Sequence, residues 1–583
     1  MKNFMRNGIT LGTPIRSVLK GLAVGALLVS GVAQSSAATF VGDRTDFRDE
    51  TIYFAMTTRF YDGDPKNNVC SWDKQDVQIS KNDPDWRGDF KGLIDKLDYI
   101  KALGFTAIWI TPIVQNASGE DYHGYHAMDM SSVDLRYESR KEWGSEKDVK
   151  FQDLIDAAHA KGMKIILDVV LQHTGNFGEV NLNPLFTRDQ NIKNQASVSD
   201  CLIPNPDRFG SDYFDQDPKV QYEQRFKYFK NPEFDNHNYY HHYGTGWNWD
   251  LPNRWWGQIA GDCVDLNTEN NAVAEYVVEC YGKFIEMGVD AFRIDTSGHI
   301  SPLTFNKQFI PQFQALGEKY KNKRLNQAPF YMFGEVCQRF QGSVVYRSQP
   351  NLSSYFYTWK SDQALPDEFN GEPAWWRQQN LPEGHDTPVG PMAVCEKDTQ
   401  DKPRSNNAWM VNGAWHEPDY SQASGFNVID FPVHYSYKNV GEIQQYFQQD
   451  NYYNDASYNV VYVDSHDYGP GPNDGIRFNG GTAQWAENLS WMFTFRGIPC
   501  LYYGSEVEFQ AGKVIDDGMG TPLINTGRAY FGHYLEGNVT ATDFAKFTAD
   551  GQVAATLKGD LAHHIQQLNK IRAAVPALRK GQY

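Results

Sequence analysis

The sequence predicts an α/β protein: a (β/α)8 TIM barrel with one long insertion after its third strand and a further insertion after its fifth. Two observations carry that reading. Eight short apolar runs, at 51–60, 106–112, 164–171, 290–295, 330–336, 426–433, 459–464 and 498–504, alternate with amphipathic helical stretches, and eight is the number of strands that closes such a barrel. Two interruptions, roughly 173–262 and 338–425, each follow a strand. Both therefore emerge at the C-terminal face, where barrel enzymes keep their active sites.

The elements follow in order. Lys2, Arg6, Arg16 and Lys20 form a basic start, 21–33 is a short apolar run, and Ser35, Ser36, Ala37 and Ala38 offer small-residue cleavage sites. Residues 1–38 thus read as a secretory signal peptide, and the apolar run falls short of the ~20 residues that span a bilayer. The mature chain is expected to be secreted or periplasmic, with no membrane span. Residues 39–172 form the first part of the barrel. Within it, Leu93, Ile94, Leu97 and Ile100 give 90–103 a helical apolar face, and 151–161 resembles it. The run 165–170 is apolar on nearly every residue, as a strand buried on both faces requires. Residues 173–262, rich in Asn, Asp, Tyr, Trp and Gly, form the inserted domain. Residues 263–583 complete the barrel, with helices over 272–287 and 560–579 and the second insertion at about 338–425. In that insertion Trp375, Trp376, Trp409 and Trp415 are read as closing a small local core.

Composition narrows the partners. Net charge is −18, from 54 Lys+Arg against 72 Asp+Glu, a balance that repels nucleic acid and anionic membranes. Seven cysteines, an odd number, leave at least one unpaired within the chain, and none has paired metal-ligand spacing. Cys263, Cys280 and Cys500 lie in apolar stretches and read as buried small hydrophobes.

The chemistry lies at the strand ends. The fourth run closes on Arg293 and Asp295, two residues apart and so on one face of a strand. An arginine there favours the ionised carboxylate, which makes Asp295 a candidate nucleophile. Glu335 ends the fifth run, Asp467 follows the seventh, and Asp168 in the third leads to His173. Several carboxylates around one barrel mouth suit glycoside hydrolysis, which needs one to attack the anomeric carbon and one to protonate the leaving oxygen. Neighbouring negative charge should raise the acid's pKa.

The segments GFTAIWITP (104–112), YHGYH (122–126), DVVLQH (168–173), VDLN (264–267), GVDAFRID (288–295), FGE (333–335), VDSHD (463–467) and RGIPCLYYG (496–504) stand in one order along the chain. This ordered set resembles the alpha-amylase family of glycoside hydrolases (family thirteen). The resemblance implies a retaining enzyme that cleaves α-1,4-glucosidic bonds of a starch-like α-glucan or maltooligosaccharide. It implies Asp295 as nucleophile, Glu335 as general acid and base, and Asp467 as stabiliser of the distorted sugar. Arg293 would orient Asp295, His173 and His466 would bond sugar hydroxyls, Tyr125 would stack on that sugar, and His123 would line the same subsite. The insertion after the third strand would be the family's domain B.

The resemblance also implies calcium. One site would use Gln172, Asp265 and the backbone carbonyl of His299, with Gln172 where the family usually has Asn. A second would use Asp62, Asp64, Asn67, Asn68, Gly88 and Asp89, a loop rich in the oxygen donors that suit a hard cation. Gly298 stands where many alpha-amylases carry Lys, and Ser465 where Asn is common. The chain ends without the family's C-terminal β-sandwich and reads as a fragment; if the family's last domain were missing instead, the last helix should show an apolar face that demands a partner. A transglycosylase, a neopullulanase- or cyclomaltodextrinase-like enzyme and a non-catalytic glucan-binding protein are the competing readings.

Overall fold

The computed structural model describes residues 43–69, 83–117, 122–188, 202–247, 252–337, 345–346, 349–350, 353–360, 410, 413–437, 453–470, 475–516 and 521–582. The predicted signal peptide, most of the second insertion and Trp375, Trp376 and Trp409 lie outside these residues.

The eight apolar runs all supply strands: β1 (Ile52–Ala55), β2 (Ala107–Ile110), β3 (Lys164–Val170), β4 (Ala291–Asp295), β5 (Tyr331–Gly334), β6 (Asn427–Val428), β7 (Val460–Tyr462) and β8 (Ile498–Tyr502). They pair in parallel in the order β6-β5-β4-β3-β2-β1-β8-β7, and a parallel bridge from Ile429 to Val460 joins the two edges into a ring. The barrel interior is packed, with Phe54 of β1 stacked on Trp109 of β2 at 3.9 Å between ring centroids. β3 is buried along its whole length, as its unbroken apolar character requires.

Helices cover the outside, and local chemistry sets their ends. Asp89 accepts the Gly92 amide at 2.6 Å and starts Phe90–Asp95. A break at Lys96 separates that helix from Leu97–Leu103, so the single helix expected over 90–103 is two. Asn271–Met287 is capped by Asn270 at its start and by Gly288, with φ 113°, at its end; only glycine takes that backbone region without strain. The helix expected over 560–579 stops at Ala574 and resumes at Ala577–Lys580, because Pro576 has no amide to continue it. Ile571 and Val575 are exposed there. Arg579 and Lys580 both reach Asp49, at 2.9 and 2.8 Å.

More charge is buried at this same, N-terminal end of the barrel. Glu50 there joins Lys164, at the start of β3, and Arg44, each at 2.9 Å. At the C-terminal end the chain leaves after β3 through His173–Gly175, which pairs antiparallel with Cys263–Asp265 on the return. Between these two short strands lie a hairpin of Phe186–Arg188 with Leu202–Pro204 and the helix Pro218–Lys230. Trp415 is 57% exposed, so the local-core reading does not hold for this tryptophan. No helix among the described residues is long and apolar enough to cross a membrane.

Candidate active site

Strand register assembles the site. Asp168 of β3 and Arg293 of β4 are direct partners across the parallel ladder. Arg293 donates from one terminal nitrogen to Asp168 Oδ1 and Oδ2, at 3.0 and 3.1 Å, and to Asp295 Oδ1 at 2.6 Å. Its other terminal nitrogen donates to Glu335 Oε2 at 2.6 Å. One buried guanidinium thus holds carboxylates from the ends of three adjacent strands. Its planar fork suits that task as a lysine would not. Trp109 Nε1 and the Tyr125 hydroxyl also donate to Asp168, at 3.0 and 2.8 Å.

The exits of β4 and β5 are tied to each other. The Glu335 amide donates to Ile294 O, and the Gly298 amide donates to Glu335 O, both at 3.0 Å. Asp295 and Glu335 are each followed closely by a residue in the left-handed region: Thr296 at φ 46° and Cys337 at φ 47°. Such a conformation costs on the order of 1–3 kcal/mol for a non-glycine residue. A Cβ on Gly298 would lie 2.6 Å from Val336 O. The absence of Lys at 298 therefore has a steric cause in this chain.

Burial raises two of the carboxylates. Burial pushes Glu335 up to about 8; Arg293 opposes this, and Asp295, Asp467 and Asp168 reinforce it. Neighbouring negative charge does raise the acid, as expected from the sequence, but burial is the larger cause. Asp168 rises to about 7, again chiefly by burial.

The remaining candidates lie around this centre. Asp467 is 34% exposed on its side chain and pairs with His466 Nε2 at 3.1 Å and Arg528 at 2.9 Å. Arg528 also donates to the His466 backbone carbonyl at 2.9 Å. This residue escaped the sequence reading because it sits in an irregular loop with no periodicity to mark it. His466 is stacked on Tyr125, with ring centroids 5.3 Å apart and planes 6° apart. Burial holds the imidazoles of His466 and His123 well below their usual range. His123 Nδ1 accepts the Tyr125 amide at 3.1 Å, and His173 Nε2 lies 3.2 Å from Tyr125 O.

The two calcium candidates differ. Gln172 donates to Asp265, its Oε1 lies 2.8 Å from His173 Nδ1, and His241 bonds the other Asp265 oxygen. His241 also meets Glu269 at 2.6 Å and is raised to about 9; burial opposes this, and the two carboxylates outweigh it. Protein groups thus answer the Gln172 and Asp265 side chains, and this trio does not present an open oxygen cage. The loop after β1 does. Asp62 Oδ1, Asp64 Oδ2 and Asn68 Oδ1 are buried there without hydrogen-bond partners. Asp89, bonded by Asn67 Nδ2 at 3.3 Å, is pushed up to about 7, mainly by burial. Gly88 is anchored beside it, its amide donating to Thr58 O at 2.6 Å. Such orphaned oxygens fit a hard cation.

Residues 54–376 match the family model described as "Alpha amylase, catalytic domain". The chain is 27% identical over 558 residues to a beta/alpha-amylase of Paenibacillus polymyxa, covering 92% of this chain and 31% of that protein. It is 30% identical over 302 residues to a cyclomaltodextrin glucanotransferase of Klebsiella oxytoca, covering 50% and 38%. The chain thus spans well under half the length of either relative. Among solved structures, the gamma-CGTase from alkalophilic Bacillus clarkii superimposes with a TM-score of 0.53 at 19% identity, over 93% of this chain and 58% of that one. With more than half of its residues matched by the family model, the chain belongs to the alpha-amylase family of glycoside hydrolases.

Proposed function

We propose that this chain is a secreted or periplasmic retaining enzyme that cleaves α-1,4-glucosidic bonds in starch and maltodextrins. The observation that carries the reading is the Arg293 fork, which bonds Asp295 with one arm and Glu335 with the other. Two carboxylates on one fork fit the roughly 5–5.5 Å spacing of retaining enzymes better than the 6.5–9.5 Å of inverting ones.

In this reading Asp295 attacks the anomeric carbon as Glu335 gives its proton to the glycosidic oxygen, so the C–O bond breaks and the shortened glucan leaves. Glu335, now a carboxylate, takes a proton from water as that water displaces Asp295 and releases the sugar. Asp467, fixed by Arg528 and His466, holds hydroxyls of the distorted ring. His173, His466, Tyr125 and His123 line the same subsite, and the segment between His173 and Asp265 walls the cleft as the family's domain B. Calcium belongs in this reading at the loop of Asp62, Asp64, Asn67, Asn68, Gly88 and Asp89, where it would fix the exit of β1.

The matched glucanotransferase supports a second reading, in which a sugar hydroxyl replaces water in the second step. One assay addresses both. Wild type and Asp295→Asn are incubated with soluble starch, pullulan and cyclodextrin, and the products are resolved by size. Linear maltooligosaccharides that vanish in the variant support hydrolysis, whereas cyclic or lengthened products support transfer. Wild-type inactivity on all three substrates contradicts both readings.

A further inference from the structure

Beside the subsite residues Tyr125 and His173, and apart from the loop after β1, a group of His, Cys and Asp side chains converges among the described residues. His126, Asp262 and Cys263 each offer a donor atom, and these atoms all lie within 4.8 Å of one another. His126 Nε2 is 3.5 Å from Asp262 Oδ2, and Cys263 Sγ is 3.7 Å from Asp262 Oδ1. Around a tetrahedral zinc ion with bonds of about 2.0–2.3 Å, donor atoms stand roughly 3.3–3.7 Å apart. The two shortest spacings, one to each oxygen of Asp262, fall in that range, and one donor atom from each residue lies within 4.8 Å of the other two.

The fold supplies the rest of a site. Cys263 pairs with Gly175 in the short ladder at the root of the inserted segment. A Cβ on Gly175 would come within 2.8 Å of the His126 carbonyl. The missing side chain lets His126 close over the ladder. Cys263 is 6% exposed, whereas the Asp262 side chain is 50% exposed. The cluster therefore has a buried floor and an open side through which an ion and a water ligand can enter.

We propose that His126, Asp262 and Cys263 form a binding site for a divalent transition-metal ion of the zinc class, at the root of the inserted segment. The donor set excludes calcium and magnesium as the preferred occupant, since both take oxygen ligands. One sulfur, one nitrogen and one carboxylate suit Zn2+ and its substitute Co2+. The ion would sit one residue along the chain from Tyr125. His123, in T-shaped contact with His126 at 4.7 Å, would brace the ligand.

The test uses the full chain, stripped with chelator and returned to buffer with excess Ca2+. Zn2+ titration is expected to give one tightly held equivalent that Ca2+ does not displace. Co2+ is expected to give a thiolate-to-metal charge-transfer band in the near ultraviolet. Cys263→Ser, His126→Gln and Asp262→Asn are each checked for folding by circular dichroism. Each should weaken Zn2+ binding beyond the ~10–100-fold that loss of a merely supporting group costs, and Cys263→Ser should abolish the cobalt band. No stoichiometric Zn2+ in the folded wild type overturns the proposal, as does a band that survives Cys263→Ser. Should Cys263→Ser fail to fold, the half-exposed Asp262→Asn decides: unchanged Zn2+ affinity in that variant also overturns it.

Discussion

Glu335→Gln isolates the proton that the proposed mechanism depends on. The substitution keeps the shape of the side chain, and its amide oxygen can still accept from Arg293, so the barrel mouth should stay intact. What it removes can be sized from the site. A glutamate at 4.5 would be protonated in about 0.3% of molecules at pH 7, whereas one at about 8 is protonated in about 90%. Burial, reinforced by the neighbouring carboxylates, therefore raises the acid-competent fraction by roughly two orders of magnitude at neutral pH. In wild type, kcat/KM on maltooligosaccharides should hold through neutrality and decline above about pH 8, as the proton leaves Glu335. In Glu335→Gln that limb should disappear and the rate should fall about 10²–10⁴-fold, the usual worth of a positioned acid. A maltooligosyl fluoride needs no proton to leave, so its first step should survive. Glycosyl-enzyme should then accumulate on Asp295, visible as added mass on the intact protein, and azide should release it. If the fluoride and the natural substrate lose rate equally, or if starch is cleaved within tenfold of wild type, Glu335 is not the acid and the assignment fails.

Other perturbations test the framework around the site. Gly298→Lys should lower both melting midpoint and activity, because its Cβ meets the backbone of Val336; a stable variant with raised activity would show that this steric argument is wrong. Asp430 is fully buried, pairs with Arg496 at 2.9 Å and accepts the Tyr453 hydroxyl at 3.1 Å. Asp430→Ala removes the buried carboxylate that Arg496 pairs with and should cost about 3–5 kcal/mol in denaturant unfolding; a loss below about 1 kcal/mol would refute this. Chelator should lower the melting midpoint of wild type, and calcium should restore it, whereas Asp62→Asn with Asp64→Asn should start low and respond to neither. Metal content measured beside the melts separates this loop from the His126 cluster, which should keep Zn2+ in that double variant.

How much of this was legible in the sequence depends on the kind of signal each residue leaves. The barrel strands were legible because a strand buried on both faces must be apolar along its length, as Lys164–Val170 nearly is. The carboxylates were legible because residues at strand ends inherit a known direction. Irregular backbone gave no such handle. Arg528 reaches Asp467 from a loop whose path follows from packing alone. His126 and Cys263 come together only because the inserted segment returns antiparallel to its own departure. Cys263 is buried, as its apolar stretch foretold; its imidazole neighbours left no mark in the sequence. Tyr125 was expected against a sugar ring; the sequence did not show that His466 lies parallel to it.

The same facts show how the fold makes the site. A buried cation among three carboxylates has little value for stability, since desolvating each group costs several kcal/mol. Arg293 makes sense instead as the part that turns strand register into chemical geometry. Its ladder partner is Asp168, and it shares a face of β4 with Asp295, so one contact follows from β3–β4 pairing and the other from alternation along β4. Glu335 is brought to its other arm by two backbone hydrogen bonds between the exits of β4 and β5. Those bonds must bend both chains sharply, and the bend is paid at Thr296 and Cys337, each in a backbone region it would not choose. Strain of that kind persists only where the surroundings over-determine it. Here the surroundings are a closed barrel, and a closed barrel cannot relax one strand end without moving its neighbours.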